Sequence, residues 1–233
     1  MKREKEKITE TNKEDKRKVR IISTAARLFI EQGYESTGMR QIAKEAEVSL
    51  SLANYHFGSK RNIAMLLVRA HLRAVQAIVY SEIPDDERLR AATLLRLNYE
   101  LMNREHLRKF YQDTLLNDIY MEAVSTGNVP YDEQNALSKS EKHWILSDGY
   151  IPVSIERALV ICPFSDSIGE SVPDYIIRNT NYCRRDALPL SHDAGWYVKE
   201  SHLIAQRLLT DYPELYKIFD EIARHAHEHI KGI

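Results

Sequence analysis

Met39–Lys60 reads MRQIAKEAEVSLSLANYHFGSK, and the reading of the whole chain turns on it. Ile42, Ala43 and Ala46 fall at i, i+1 and i+4, so a short first helix carries one apolar face. Ala43 is small where two steeply crossing helices must touch. Glu45 to Ser49 makes a turn, with Val48 expected to be buried beneath it and Ser49 placed to cap the next helix. Leu52, Ala53, Tyr55, His56 and Phe57 load a second helix of barely two turns, and Ser59-Lys60 opens a third. This is the spacing of a helix-turn-helix, whose second helix lies in the major groove of DNA.

Charge is distributed to match. Net charge over 233 residues is −1, but residues 1–60 hold 13 Lys+Arg against 9 Asp+Glu, whereas the remainder holds 20 against 25. A basic amino-terminal part joined to an acidic remainder suits a DNA reader coupled to something else. Two cysteines, Cys162 and Cys183, make no disulfide framework. The charged amino terminus has no apolar run behind it, and no stretch approaches 18 uninterrupted apolar residues. A cytoplasmic protein with reduced thiols and no membrane contact is expected.

Residues 1–15 mix both charges and are expected to be a disordered arm or a loose helical extension. A helix over 16–32 buries Val19, Ile22, Ala26, Phe29 and Ile30 and stops at Gly33. A helix from Ser59 to about Tyr80 links the motif to the rest as a stiff lever. Further helices are expected over 86–104, 105–126 and 131–146. Prolines and glycines cut 147–193 into short pieces such as 153–161 and 174–184. Two amphipathic helices, 194–210 and 213–231, close the chain. The domain boundaries follow: an arm over 1–15, a DNA-binding domain over 16–62 and a helical domain over 63–233, all-α throughout.

From about Lys18 to Leu67 the sequence resembles the DNA-binding domain of the TetR family of bacterial transcriptional repressors. The likeness is carried by Ala25-Ala26-Arg27-Leu28-Phe29, Gly33-Tyr34-Glu35-Ser36-Thr37, Met39-Arg40-Gln41-Ile42-Ala43, Ala46, Val48-Ser49, Tyr55-His56-Phe57 and Ser59-Lys60. Three departures stand out. Glu47 takes the place of a turn glycine, where a left-handed residue with a side chain costs about 1 kcal/mol. Gly38 replaces a hydroxyl residue, so that Thr37 or Ser36 must supply the cap. Ala53-Asn54 replaces a more apolar pair.

Ser51, Leu52 and Asn54 are the candidates for base edges, since Asn pairs with adenine and Leu touches a thymine methyl. The resemblance implies sugar-phosphate contacts for Tyr55 and His56. Lys60, Thr37 and Arg40 stand at helix starts, where phosphate is favoured, and Ser49 either caps its helix or reaches a phosphate. The resemblance also implies a homodimer through the two carboxyl-terminal helices, and a dimer that presents two helices to successive major grooves predicts a palindromic or near-palindromic double-stranded DNA site. It implies a small-molecule effector in a helical pocket, with Tyr99, Met102, Tyr111, Leu115 and Trp144 as candidates.

No cofactor or metal site is expected. On a helix His225 and His229 share a face that His227 leaves, so the three do not converge. No nucleophile elbow, phosphate loop or HExxH helix suggests an enzyme. The competing reading is a helical interaction or architectural protein that kept the motif without reading specific DNA.

Overall fold

The computed structural model describes residues 2–126, 150–162, 165–180 and 192–224. All of its regular elements are helical among the described residues. They are α1 Lys2–Gln32, α2 Met39–Glu45, α3 Leu50–Phe57, α4 Lys60–Glu82, α5 Glu87–Met102, α6 Glu105–Leu116 and α7 Ile119–Thr126. After a gap in the description come α8 Ile151–Ile161, α9 Val172–Thr180, α10 Ala194–Asp211 and α11 Ile218–Arg224, with 3₁₀ turns at Ser165–Ile168 and Pro213–Lys217.

Two compact units result. One takes in the chain up to His71 together with the segment from Lys217 onward; the other is Leu72–Tyr216. The border therefore falls inside α4 rather than at residue 62. The segment expected to end a carboxyl-terminal dimerisation domain packs instead in the amino-terminal unit, α11 lying against α1. Its apolar residues Phe219 and Ile222 are buried there, with Phe219 beside the His71 ring.

The amino-terminal unit is built on α1. Ile21, Ile22, Ala25, Ala26 and Phe29 are fully buried, a face shifted from the expected stripe, since Val19 and Ile30 are only half-buried. The supposed arm is a continuation of this helix back to Lys2. No Gly or Pro interrupts Lys2–Gln32, and Lys18 pairs with Glu14 one turn away, which favours helix over coil. Gly33, at φ 92, closes it through Gly33 N–H to the Phe29 carbonyl.

In the Leu72–Tyr216 unit α10 packs chiefly on α5, while α9 bridges α8 and α10. The expected single helix over 105–126 is broken at Asn117-Asp118. Asp118 takes φ 58, and the Asn117 side chain caps the Asp113 carbonyl at 2.9 Å, local chemistry that an Asn-Asp pair supplies. The expected helix over 213–231 is a 3₁₀ turn followed by α11. The helix expected over 131–146, Trp144, Cys183 and the three histidines beyond Arg224 lie outside the described residues. α4 is long and apolar enough by composition to cross a bilayer, but just over half of it, including Ile63, Leu67, Val68, Val75 and Val79, is buried against protein.

Candidate nucleic-acid interface

α2 and α3 meet through small residues. Ala43 and Ala46 are each 2 % exposed and Ala53 is fully buried, so the two helix backbones approach closely. Of the turn residues it is Ala46 that is buried, whereas Val48 is only half-buried. Glu47 adopts φ 54, the left-handed conformation expected where a glycine would be easiest. Ser49 caps α3, its Oγ accepting from Leu52 N–H at 3.1 Å. Gly58, at φ 70, ends α3, and Ser59 Oγ accepts from Asn62 N–H to open α4.

α1 holds this pair in place. Arg27 donates to Glu31 at 2.8 Å and to Glu45 of α2; the Glu45 hydrogen bond is the main reason that the Arg27 pKa is raised and that of Glu45 lowered. Gln32 donates to Gln41 of α2 at 2.8 Å.

What remains outward on α3 is polar. Ser51 and Asn54 are exposed, and Tyr55 is 81 % exposed, the largest aromatic surface the chain offers to solvent among the described residues. Leu52 is half-buried at the edge of that face. Arg40 on α2 is exposed as well.

Three candidates are placed otherwise. Thr37 is 1 % exposed; its hydroxyl donates to the Gly33 carbonyl at 2.8 Å and accepts from Gln32, so it braces the loop instead of facing a phosphate. Nor does it cap α2, whose N-cap is Gly38 without any side-chain bond. Lys60 donates to the Tyr34 carbonyl at 2.8 Å and the Glu35 carbonyl at 3.3 Å, with its ammonium 4.2 Å from the Tyr34 ring centre. The His56 side chain is 3 % exposed, tucked under α1 with Nδ1 3.8 Å from Glu14 Oε1. Burial is the main cause that lowers its pKa; the nearby charges of Lys18 and Arg17 add to this and Glu14 opposes it.

The effector candidates divide too. Tyr99 lines a cavity of about 560 Å³ with Asn103, Leu159, Val160, Gly169 and Val172, and Asn103 donates to the Tyr99 hydroxyl at 3.0 Å. Met102 and Leu115 are core, 0 % and 1 % exposed. Tyr111 is fully buried and donates to Glu156, itself 3 % exposed; its ring lies 5.3 Å from Tyr120 and 6.5 Å from Tyr99. Burial raises the Glu156 carboxyl to about 7, against which the Tyr111 bond acts. The sequence reading missed Glu156, Asn103 and the 168–172 turn. A lone Glu inside the apolar run IPVSIERALVI was the available signal for the first.

Comparison with known proteins places the motif. The family described as bacterial regulatory proteins, tetR family, matches residues 21–65. The HTH-type transcriptional regulator HbdR of Aromatoleum sp. (strain CIB) is 42 % identical over 62 residues, 27 % of this chain and 27 % of that protein. The HTH-type transcriptional activator FasR of Mycolicibacterium smegmatis is 29 % identical over 82 residues, 34 % of this chain and 37 % of that one. The matches thus span about a quarter to a third of these regulators' length. The crystal structure of the TetR family regulator PfmR from Thermus thermophilus aligns over 91 % of this chain and 93 % of that one, at 18 % identity and a TM-score of 0.32. It is the amino-terminal helix-turn-helix segment, residues 21–65, that matches the family of bacterial regulatory proteins, tetR family.

Proposed function

We propose that this protein is a DNA-binding transcriptional regulator that reads a near-palindromic operator as a homodimer. The observation that carries the reading is the outward face of α3. Ser51, Asn54 and Tyr55 stand exposed on a helix whose other face is fixed by Ala53 and Phe57 in the core. Asn54 suits bidentate pairing with adenine, and Ser51 accepts or donates to either base type. Tyr55 and Arg40 suit the flanking sugar-phosphate backbone.

One such helix makes few base contacts. Two copies reading successive major grooves, about 34–36 Å apart, supply a full site. In the copy-to-copy contact α10 is the favoured element, with Leu203 49 % exposed; Phe219 and Ile222 of α11 are buried within the chain.

A small effector suits the cavity beside Tyr99 and Asn103, whose volume falls in the usual range of about 300–1,000 Å³ for ligand sites. Such a ligand acts by preferring one of two states, and α4, which runs unbroken from one unit into the other, is the element for transmitting that preference.

The test is a mobility-shift titration against the DNA upstream of the protein's own coding sequence, with random duplex as competitor. Preference for the upstream duplex is expected, and Asn54→Ala is expected to relax discrimination at one base position by about 1–3 kcal/mol. Equal affinity for both duplexes sinks the regulator reading and leaves an architectural one.

A further inference from the structure

With Thr37 and Lys60 engaged within the domain, Arg40 and Tyr55 are left as the phosphate contacts of the motif itself. The sequence offers a second source of positive charge in Lys16-Arg17-Lys18-Val19-Arg20, and the structure brings one side of it to the recognition helix. Glu14 Oε1 lies 3.8 Å from His56 Nδ1 in the last turn of α3, and the His56 ring in turn lies 5.2 Å from the exposed Tyr55 ring. At 3.6 residues per turn, Glu14, Arg17, Lys18 and Ile21 share one side of α1. Ile21 is fully buried in the core and Glu14 reaches α3, so Arg17 and Lys18 lie on the border between α1 and the Tyr55 flank of α3. Both are half-buried, their stems against protein. Lys16 falls on the opposite side of α1 and is exposed.

We infer that Arg17 and Lys18 of α1 form a second phosphate-binding edge of the DNA interface, flanking the recognition helix on its Tyr55 side. The inference rests on the DNA-binding reading above and adds to it which cations hold the backbone. Lys18 is now paired with Glu14 at 3.4 Å, its side chain 25 % and that of Glu14 49 % exposed. A solvent-screened i,i+4 pair of this kind is weak, so a phosphate displaces Glu14 at little cost. Arg17 presents a guanidinium, whose forked donors fit phosphate oxygens.

The salt dependence of binding tests this on the full chain. Affinity for the preferred upstream duplex is measured by fluorescence anisotropy from 50 to 300 mM KCl. The double substitution Arg17→Gln, Lys18→Gln keeps much of the packed stem and removes both charges. It is expected to reduce the slope of log K against log salt by about 1.8 per subunit bound, at 0.9 for each lost contact, without altering base preference. Lys16→Gln removes one equal charge from the far side of the same helix and is expected to leave the slope unchanged. A slope unmoved by the double substitution overturns the inference, and so does an equal effect per charge from Lys16→Gln, which reduces the contribution to net charge alone. Unaltered helical circular dichroism confirms that each variant is folded. A wild-type chain that prefers no duplex fails the underlying reading instead, and does so before any variant is compared.

Discussion

The two units of the chain differ most in what they bury. In the amino-terminal unit the interior is mostly hydrocarbon: Ile21, Ile22, Phe29, Ile42, Ala53, Ile63 and Leu67, with few buried polar side chains among those described up to His71, namely Thr37, His56 and His71. The Leu72–Tyr216 unit buries Arg88, Thr93, Arg96, Asn98, Asp113, Thr114, Glu156, Thr180 and Ser201. Hydrocarbon packing is non-directional and yields a rigid platform. Buried polar groups demand particular partners, so the second interior is sensitive to what those partners are and how they are charged. A platform that presents side chains to DNA and an interior that responds to chemistry are different physical tasks, and the two units are composed accordingly.

The contrast breaks first at Arg96. Its guanidinium is 2 % exposed and donates to Ser201 Oγ at 3.3 Å, to the Val198 carbonyl at 3.1 Å and to Asp174, tying α5 to α9 and α10. Burial pushes the Asp174 carboxyl up, but the bonds from Arg96 and Ser171 outweigh this and hold it below its ordinary range. Arg96→Ala removes one donor from each of three acceptors and leaves the Asp174 carboxylate without its cation, and breaking a buried pair in this way costs about 4 kcal/mol. Urea denaturation is expected to show that loss. A change below about 1 kcal/mol means that the buried polar groups of this unit are incidental to its fold, and the contrast fails.

Glu156 sharpens it by pH. The folded carboxyl titrates at about 7 against an ordinary 4.5, raised chiefly by burial. A raised folded value means that the folded state holds its proton more tightly than the unfolded chain. The resulting stability is complete below about pH 4.5 and is lost as pH rises through 7. On linkage the loss across that window is about 3 kcal/mol. Denaturation midpoints taken between pH 5 and pH 8 are expected to fall, and Glu156→Gln is expected to flatten that fall while keeping an acceptor for Tyr111. A slope identical in wild type and variant assigns the pH response elsewhere.

How much of this was legible follows the same division. The helix-turn-helix could be read because Ile42, Ala43, Ala46 and Ala53 obey a binary apolar pattern and Ser49 and Ser59 mark helix starts by their own chemistry. Within the site, Ser51 and Asn54 were legible as outward residues from helical period alone. Thr37, Lys60 and His56 were not, because a polar side chain beside a helix start looks the same in sequence whether it meets solvent or a carbonyl twenty-six residues away, as Lys60 meets that of Tyr34. The second unit was harder still. Arg96 and Glu156 read as surface charges until α10 and the tyrosines close over them, and the break at Asn117-Asp118 depends on one backbone angle. Partners distant in sequence, such as Arg96 and Ser201, leave no local trace.

The smallest expected effect lies in the platform itself, at Glu47. Its φ of 54 places a side chain where only glycine is unstrained, at about 1 kcal/mol. What it gains is a contact to Arg20 at 3.3 Å, between side chains 82 % and 47 % exposed, worth about 0.5 kcal/mol or less. Glu47→Gly relieves the strain and loses the contact, and glycine's freedom in the unfolded chain takes back part of the gain. A net stabilisation of a few tenths of a kcal/mol is therefore expected, whereas Glu47→Ala keeps the strain, loses the contact and is expected to destabilise by a few tenths of a kcal/mol. The opposite signs are the measurement. If both substitutions destabilise alike, the exposed ion pair outweighs the backbone, and polar contacts govern the amino-terminal unit as well as its neighbour. If the signs differ as expected, backbone geometry and hydrocarbon packing set the angle at which α3 is presented, and the polar groups around it are free to serve the DNA.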